Sequence, residues 1–216
     1  MPNIVSPRLY LMASQIPDLD VFLPSLDKAC ASADVASFLL QLPAEDSRSQ
    51  TGFIKTVAPI AQKYNTAVIV SADKNDEFIR TALRGGADGV HLSSDMSNIS
   101  EIRKQLGADH ILGTAVATKD EAMLAGEAGV DYIWFGENRT DKPISLAQLH
   151  ERVSWWTEIF EIPCVAYADT WDAVEQLASA KAEFIAVDRL VWQYDEGEAA
   201  AVQKVNDILR KYTVVE

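Results

Sequence analysis

Gly85-Gly-Ala-Asp-Gly-Val-His91 connects the end of a predicted helix, through an acidic turn, to a predicted strand. A glycine after a helix takes the left-handed cap conformation that other residues resist. The same order returns as Ala128-Gly-Val-Asp-Tyr-Ile133 and, in weaker form, as Ala180-Lys-Ala-Glu-Phe-Ile185. A βα unit that recurs without a long linker predicts a closed barrel.

The chain contains eight short apolar runs. Three of them lie within the repeats just described, and the others lie elsewhere along the chain. They are rich in Val, Ile and Leu without polar alternation, which is typical of parallel strands covered on both faces. Helical segments lie between them, and Thr118, Ser145 and either Asp169 or Thr170 are placed to cap three of these helices. The predicted strands are Leu9–Ala13, Val35–Leu42, Ala67–Ala72, Gly89–Leu92, His110–Ala115, Tyr132–Phe135, Pro163–Ala168 and Phe184–Val187.

The pattern therefore predicts an α/β fold, a (β/α)8 TIM barrel that takes up residues 1–216 as one domain. An open doubly wound sheet is the alternative, and it is disfavoured because no glycine-rich phosphate loop follows the first strand. In a barrel the active site lies where the strands run into the following helices. Asp88 and Asp131 precede strands, so we expect them at the opposite rim as caps or turns.

Composition narrows the range of partners. The chain carries 32 acidic and 19 basic residues and a net charge of −13, which opposes binding to nucleic acid or to an anionic membrane. It still allows a small phosphorylated ligand, since local backbone N–H groups can hold phosphate. Cys30 and Cys164 form no metal or redox motif and are expected to be buried thiols. Neither a secretory signal nor a membrane span is apparent, so we expect a cytoplasmic protein. The protein could form a homo-oligomer.

Three motifs carry a resemblance to a known family. Gly86-Ala-Asp-Gly-Val-His-Leu92 closely resembles a run of the thiamine-phosphate synthases, which share a superfamily with the thiazole tautomerases. Ile111-Leu-Gly113 and Asp131-Tyr-Ile-Trp-Phe-Gly136 follow at the family's spacing, with Asp120-Glu-Ala122 at the start of the intervening helix. The resemblance covers residues 66–142. It implies a transferase of thiamine biosynthesis that joins a pyrimidine diphosphate to a thiazole phosphate and releases pyrophosphate, with Mg²⁺ on the leaving group.

The resemblance also implies a set of site residues at the carboxyl ends of the strands. Asp73 and Asp95 stand near the family's Mg²⁺ ligands, although Asp95 comes one place early and Asn75-Asp76 is a competing alignment for Asp73. Both aspartates could instead be solvated loop carboxylates or helix caps. The implied catalytic cation is Lys142, and the implied ligand-binding residues are His91, Ser94, Thr140, Asp169 and Arg189.

Several of these residues have a structural alternative. Lys142 could be a surface lysine, and His91 could be a hydrogen-bonded core residue. Arg189 could hold a phosphate in bidentate fashion, or it could form an ion pair with Asp188 or Asp169.

The chain departs from the family at several phosphate-binding positions. Leu42-Pro-Ala44 stands where the family has Arg-x-Lys, and Ala115-Val-Ala117 stands where it has Ser-Thr-His. Ala168-Asp169 replaces a Gly-Gly pair, and Asp188-Arg189 replaces a small-residue turn. Two functions therefore remain open: a synthase with weak or altered activity, or an inactive barrel that binds a phosphorylated ligand or regulates a partner. Ala117 also replaces the catalytic histidine of the tautomerases, which disfavours that chemistry.

Overall fold

Eight parallel strands alternate with helices and close into a barrel in the computed structural model, which describes residues 4–16, 18–71, 77–93, 98–136 and 144–215. Each strand pairs with its neighbours in chain order, and the first pairs with the last, so the predicted (β/α)8 barrel is confirmed. The barrel strands are β1 (Arg8–Ala13), β2 (Ser37–Gln41), β3 (Ala67–Ser71), β4 (Gly89–Leu92), β5 (Ile111–Ala115), β6 (Tyr132–Phe135), β7 (Cys164–Tyr167) and β8 (Phe184–Val187).

The helices form the outer layer, and a larger apolar core lies between them and the strands. Ile4–Val5 and Val214–Val215 form a short antiparallel pair outside the barrel. Within the described residues, no helix has both the length and the apolar character that a membrane crossing needs. The helices are α1 (Leu19–Ser32), α2 (Ser47–Gln62), α3 (Phe78–Gly85), α4 (Ile99–Leu106), α5 (Lys119–Glu127), α6 (Leu146–Ile159), α7 (Trp171–Ser179), α8 (Arg189–Trp192) and α9 (Glu198–Arg210).

The predicted helix caps are present. The hydroxyl of Thr118 accepts the backbone N–H of Glu121, and Ser145 forms a full capping box with Gln148. At α7 the cap is Thr170, not Asp169, which leaves the Asp169 carboxylate without a role in starting the helix.

The recurring acidic residue ties strands together in pairs at their amino ends. In each repeat the carboxylate before one strand accepts a backbone N–H from the first or second residue of the preceding strand, which satisfies that donor. The three pairs, donor first, are Val68 with Asp88 at 2.7 Å, Leu112 with Asp131 at 2.7 Å, and Cys164 with Glu183 at 2.8 Å. These residues lie at the amino-terminal rim, as predicted for Asp88 and Asp131.

The strands β1 and β2 are joined in a similar way, but here the donor to the carboxylate is a side chain. Asp34 precedes β2, and its two carboxylate oxygens accept from Nε and Nη2 of Arg8 in β1, each at 2.8 Å. This forked ion pair lowers the pKa of Asp34. The amino-terminal rim is therefore built for stability, which directs the search for chemistry to the opposite rim.

Aromatic side chains fill the barrel interior. The hydroxyls of Tyr10 and Tyr132 lie 2.9 Å apart, and Nδ1 of His91 lies 3.0 Å from the Tyr132 hydroxyl. Trp134 packs edge-on against Tyr10 at a centroid distance of 5.3 Å. The interior is consequently a packed core, and a ligand can enter only at its mouth.

Candidate functional site

A cavity of about 540 Å³ opens at the carboxyl ends of β1, β6, β7 and β8. This is the rim where barrel enzymes place their chemistry. The volume is suited to a small organic ligand. Its lining comprises Met12, Ser14, Trp134, Tyr167, Asp169, Asp188, Arg189 and Leu190.

Trp134 belongs both to this lining and to the packed interior. Its side chain is 2% exposed, and its ring stacks with Tyr167 at a centroid distance of 6.4 Å. Within the described ranges, the indole N–H has no hydrogen-bond partner. The bulk of Trp134 limits the depth of the cavity, so a ligand must lie between the tryptophan and the surrounding loops.

Asp188 supplies a nearly buried carboxyl group, with the residue 7% exposed. Its Oδ2 accepts a hydrogen bond from the hydroxyl of Ser14 at 2.5 Å, which joins the ends of β8 and β1. Burial raises the pKa of Asp188, and the hydrogen bond from Ser14 opposes that effect. The carboxyl group can therefore accept a hydrogen bond from a ligand in the cavity, and it keeps its proton to higher pH than a solvated aspartate does.

Asp169 and Arg189 stand at the mouth, and both are exposed. No ion pair within the described residues joins Arg189 to either Asp169 or Asp188. Arg189 therefore makes no direct ion-pair contact with either carboxylate, although its positive charge acts on Asp188 and lowers the pKa of that carboxyl group. The guanidinium remains available to an anion that enters the cavity.

Tyr167 lies between these charged groups and the aromatic floor. Burial raises the pKa of its hydroxyl, and the negative charges of Asp188 and Asp169 act in the same direction. The hydroxyl therefore stays protonated at neutral pH and can donate a hydrogen bond to a ligand. Tyr167 is not among the residues predicted from the sequence, although strand alternation from the inward-facing Val165 places it on the inner face of the barrel.

His91 lies below the cavity. It is 1% exposed, it is bonded to Tyr132, and its ring lies 5.3 Å from that of Trp134. It is thus a hydrogen-bonded interior residue, and its connection with the cavity runs through Trp134. Direct ligand contact by His91 stays a prediction.

The predicted metal ligands Asp73 and Asp95 lie outside the described residues. The hydroxyls of Ser71 and Ser93, which end or follow the preceding strands, lie 3.0 Å apart. The two loops that carry the aspartates therefore start side by side. Among the described residues, no group of three or more His, Cys, Asp and Glu side chains could hold a metal ion.

Ser94, Thr140 and Lys142 also lie outside the described residues. The loop that carries Thr140 and Lys142 begins at Gly136, which has a left-handed φ of 97°. A Cβ at Gly136 would stand 3.3 Å from Cβ of Tyr167, so the loop starts directly beside the cavity. This position is compatible with the predicted role of Lys142.

The turn after β5 provides few donors for a phosphate. Ala115 and Val116 are buried and apolar, and the hydroxyl of Thr118 serves the cap of α5. The backbone N–H of Ala117 donates to the Glu121 carboxylate at 2.6 Å. The hydroxyl-rich surface that the family resemblance implies is therefore absent from this turn.

Sequence comparison identifies relatives along most of the chain. Residues 9–191 match the family described as thiamine monophosphate synthase. The thiamine-phosphate synthase of Rhodospirillum centenum is 35% identical over 208 residues, which cover 94% of this chain and 98% of that protein. The thiamine-phosphate synthase of Hyphomonas neptunium is 34% identical and covers 92% of both chains.

Solved structures with the same fold extend the comparison. Thiamine phosphate pyrophosphorylase from Pyrococcus furiosus superposes with a TM-score of 0.77 at 22% identity, over 95% of this chain and 96% of that one. Orotidine 5′-phosphate decarboxylase from Pyrococcus horikoshii superposes with a TM-score of 0.69 at 12% identity, over 94% of this chain and 99% of that one. At these identities the superpositions establish the barrel fold alone.

Proposed function

The chain belongs to the thiamine monophosphate synthase family, and we propose that it is a thiamine-phosphate synthase-like transferase with weak or altered activity. The reaction would join a pyrimidine diphosphate to a thiazole phosphate and release pyrophosphate. The observation that carries this proposal is the 35% identity to a named synthase over 94% of the chain. A cavity with a cation and several hydrogen-bonding groups at the catalytic rim supports it.

The residues of the cavity suit a ligand that carries phosphate. Arg189 would bind a phosphate oxygen at the mouth, and Lys142 would add a second cation from the neighbouring loop. Tyr167 would donate its hydroxyl proton in a hydrogen bond, while the Trp134 floor would keep water from the reacting atoms. Asp188 would accept a hydrogen bond from an amino group of the ligand.

Mg²⁺ is part of the proposal. Asp73 and Asp95 would hold it, because carboxylate oxygens are the donors that Mg²⁺ prefers and their loops start side by side at Ser71 and Ser93. The ion would neutralise charge on the departing diphosphate when bound.

We propose reduced activity because donors for the diphosphate are few. Ala115 and Val116 offer no hydroxyl, and Asp169 adds a negative charge at the mouth. Each lost donor to a developing oxyanion typically costs ~10²–10³ in rate. Two uncompensated losses would lower the rate by roughly 10⁴ against a relative that keeps them.

A second candidate is an inactive barrel that binds a phosphorylated ligand as a sensor or partner subunit. The same apolar turn at Ala115 and Val116 favours it, because binding one phosphate requires fewer donors than stabilising a departing diphosphate. Arg189 would suffice for the simpler task.

The decisive experiment supplies purified protein with both phosphorylated precursors and Mg²⁺. We expect thiamine phosphate at a rate about 10⁴-fold below that of the Rhodospirillum centenum relative under the same conditions. Calorimetry with the thiazole phosphate alone should still show binding. Turnover within tenfold of the relative would contradict reduced activity, binding without product would favour the second candidate, and neither product nor binding would contradict both.

Location and assembly complete the proposal. Cys30 and Cys164 are buried thiols, which is compatible with the reducing cytoplasm. A homo-oligomer would cover part of the exposed apolar surface, to which Leu124 and Ile159 contribute with 61% exposure each.

A further inference from the structure

A hollow of about 480 Å³ lies on the outer surface of the barrel, between α2 and α3. Four cations line it, namely Arg48, Lys55, Arg80 and Arg84, together with one carboxylate, Glu77. The lining thus has an excess of three positive charges in a chain whose net charge is −13. We call this feature the basic hollow.

The four cations make few contacts with the rest of the structure that is described. Among the described residues, none of the four takes part in an ion pair or a cation–π contact. All four are exposed. In a chain with 32 acidic residues, four cations around one concave site with a single carboxylate in its lining depart from a mixed-charge surface.

Two features of the basic hollow are unfavourable for helix stability. Arg80 and Arg84 stand four residues apart on α3, where like charges repel each other. Gly52 lies inside α2, where glycine is less favourable than alanine, and a Cβ there would meet no atom within 4 Å. Among the described residues, no ion pair offsets the repulsion between Arg80 and Arg84. Local costs of this kind are expected where a surface serves binding.

The cations form two parallel rows along the helices. Arg48 and Lys55 are seven residues apart on α2, which corresponds to about 10 Å along the axis at ~1.5 Å per residue. Arg80 and Arg84 are four residues apart on α3, about 6 Å by the same rise. A single phosphate group is short compared with the spread of these positions along the helices, whereas a chain of phosphates is long enough to follow the rows. Gly52 leaves the space between the rows open.

We propose that the basic hollow binds an extended polyanion that contains a chain of three or more phosphate groups. Arginine recognises phosphate oxygens through paired N–H donors, and lysine contributes a point charge. The hollow lies on the helical layer and shares no lining residue with the cavity at the barrel mouth, so binding of a polyphosphate there can be measured separately from the proposed synthase reaction.

Calorimetry with tripolyphosphate tests this inference. We expect one molecule to bind the wild-type protein at the hollow, with an affinity that falls steeply as salt is raised. The double variant Arg80→Gln, Arg84→Gln should lose tenfold or more in affinity. The matched control Lys104→Gln, Arg210→Gln removes the same charge from α4 and α9 and should retain the binding. Equal losses in the two double variants would overturn the proposal, because they would indicate a response to net charge alone.

Further arms define the ligand. Orthophosphate should bind at least tenfold more weakly than tripolyphosphate, and equal affinity would overturn the requirement for an extended anion. Gly52→Ala should weaken tripolyphosphate binding while raising the melting temperature; unchanged binding would contradict a role for the open space. ATP distinguishes the source of the phosphate chain, since tighter binding of ATP would indicate a nucleotide and equal binding a free polyphosphate.

Discussion

The ring of Tyr132 lies against the backbone of Gly113 so closely that a Cβ at Gly113 would stand 1.9 Å from Cζ of the tyrosine. The hydroxyl of the same tyrosine meets both Tyr10 and His91. This contact gives a physical reason for two sequence motifs to occur together. Ile111-Leu-Gly113 provides the gap, and Asp131-Tyr-Ile133 provides the ring that fills it.

Gly113→Ala should therefore destabilise the barrel strongly. The added methyl group has no route away from the Tyr132 ring, and overpacking in a core typically costs about 1–3 kcal/mol. We expect a loss at the upper end of that range in the free energy of unfolding, measured with denaturant. The control is Gly52→Ala, where nothing lies within 4 Å and a gain of about 0.5–1 kcal/mol is expected. Similar stabilities for the two variants would contradict this account.

The hydrogen bond from the backbone N–H of Leu112 to the carboxylate of Asp131 should contribute measurably to stability. Asp131→Ala leaves the backbone N–H of Leu112 without its acceptor, and we expect a loss of about 1 kcal/mol in the free energy of unfolding. Asp131→Asn keeps an acceptor oxygen but removes the charge that faces Arg103. The loss in the free energy of unfolding should therefore be less than half as large for Asp131→Asn as for Asp131→Ala. If the two variants are equally destabilised, the ion pair and not the backbone hydrogen bond is the stabilising contact.

The fold could be predicted because its determinants are local. Apolar runs, glycine turns and acidic residues before strands repeat along the chain. The strands β4, β6 and β8 begin and end at the predicted residues. The second strand is shorter than predicted, running from Ser37 to Gln41, because apolar character continues into the turns at both ends. Apolar patterning marks burial, and burial at Val35 and Leu42 does not require strand geometry.

The site could be predicted from the sequence only in part, because a cavity is formed by residues that are distant along the chain. Asp169 and Arg189 were predicted and do line it. Ser14 was missed because its role depends on Asp188, which lies 174 residues away. Trp134 was noted only within its motif, and its place in the floor depends on packing against Tyr10 and Tyr167.

The raised pKa of Asp188 predicts a specific pH dependence of stability. Because burial disfavours the charged form in the folded protein, deprotonation costs stability as the pH rises from the unfolded pKa of ~3.9 through the raised folded value. Asp188→Asn removes this titration. The variant should therefore have a higher melting temperature than the wild type at pH 7, and the difference should vanish near pH 3.5. A difference that stays constant between these pH values would contradict the assignment.

Asp169 and Arg189 should act in opposite directions on a phosphorylated ligand. A negative charge about 6 Å from a phosphate weakens binding by roughly threefold per phosphate charge in a solvated site, so Asp169→Asn should strengthen binding of the thiazole phosphate by roughly three- to tenfold. Arg189→Gln should weaken it by tenfold or more, because a charge-assisted hydrogen bond is lost. Asp172→Asn makes the same change in charge on α7, where Asp172 lines a different surface groove. Calorimetry on the three variants separates local from general electrostatics. An improvement in Asp172→Asn equal to that in Asp169→Asn would show that the ligand responds to the overall field of the protein and does not bind beside Asp169.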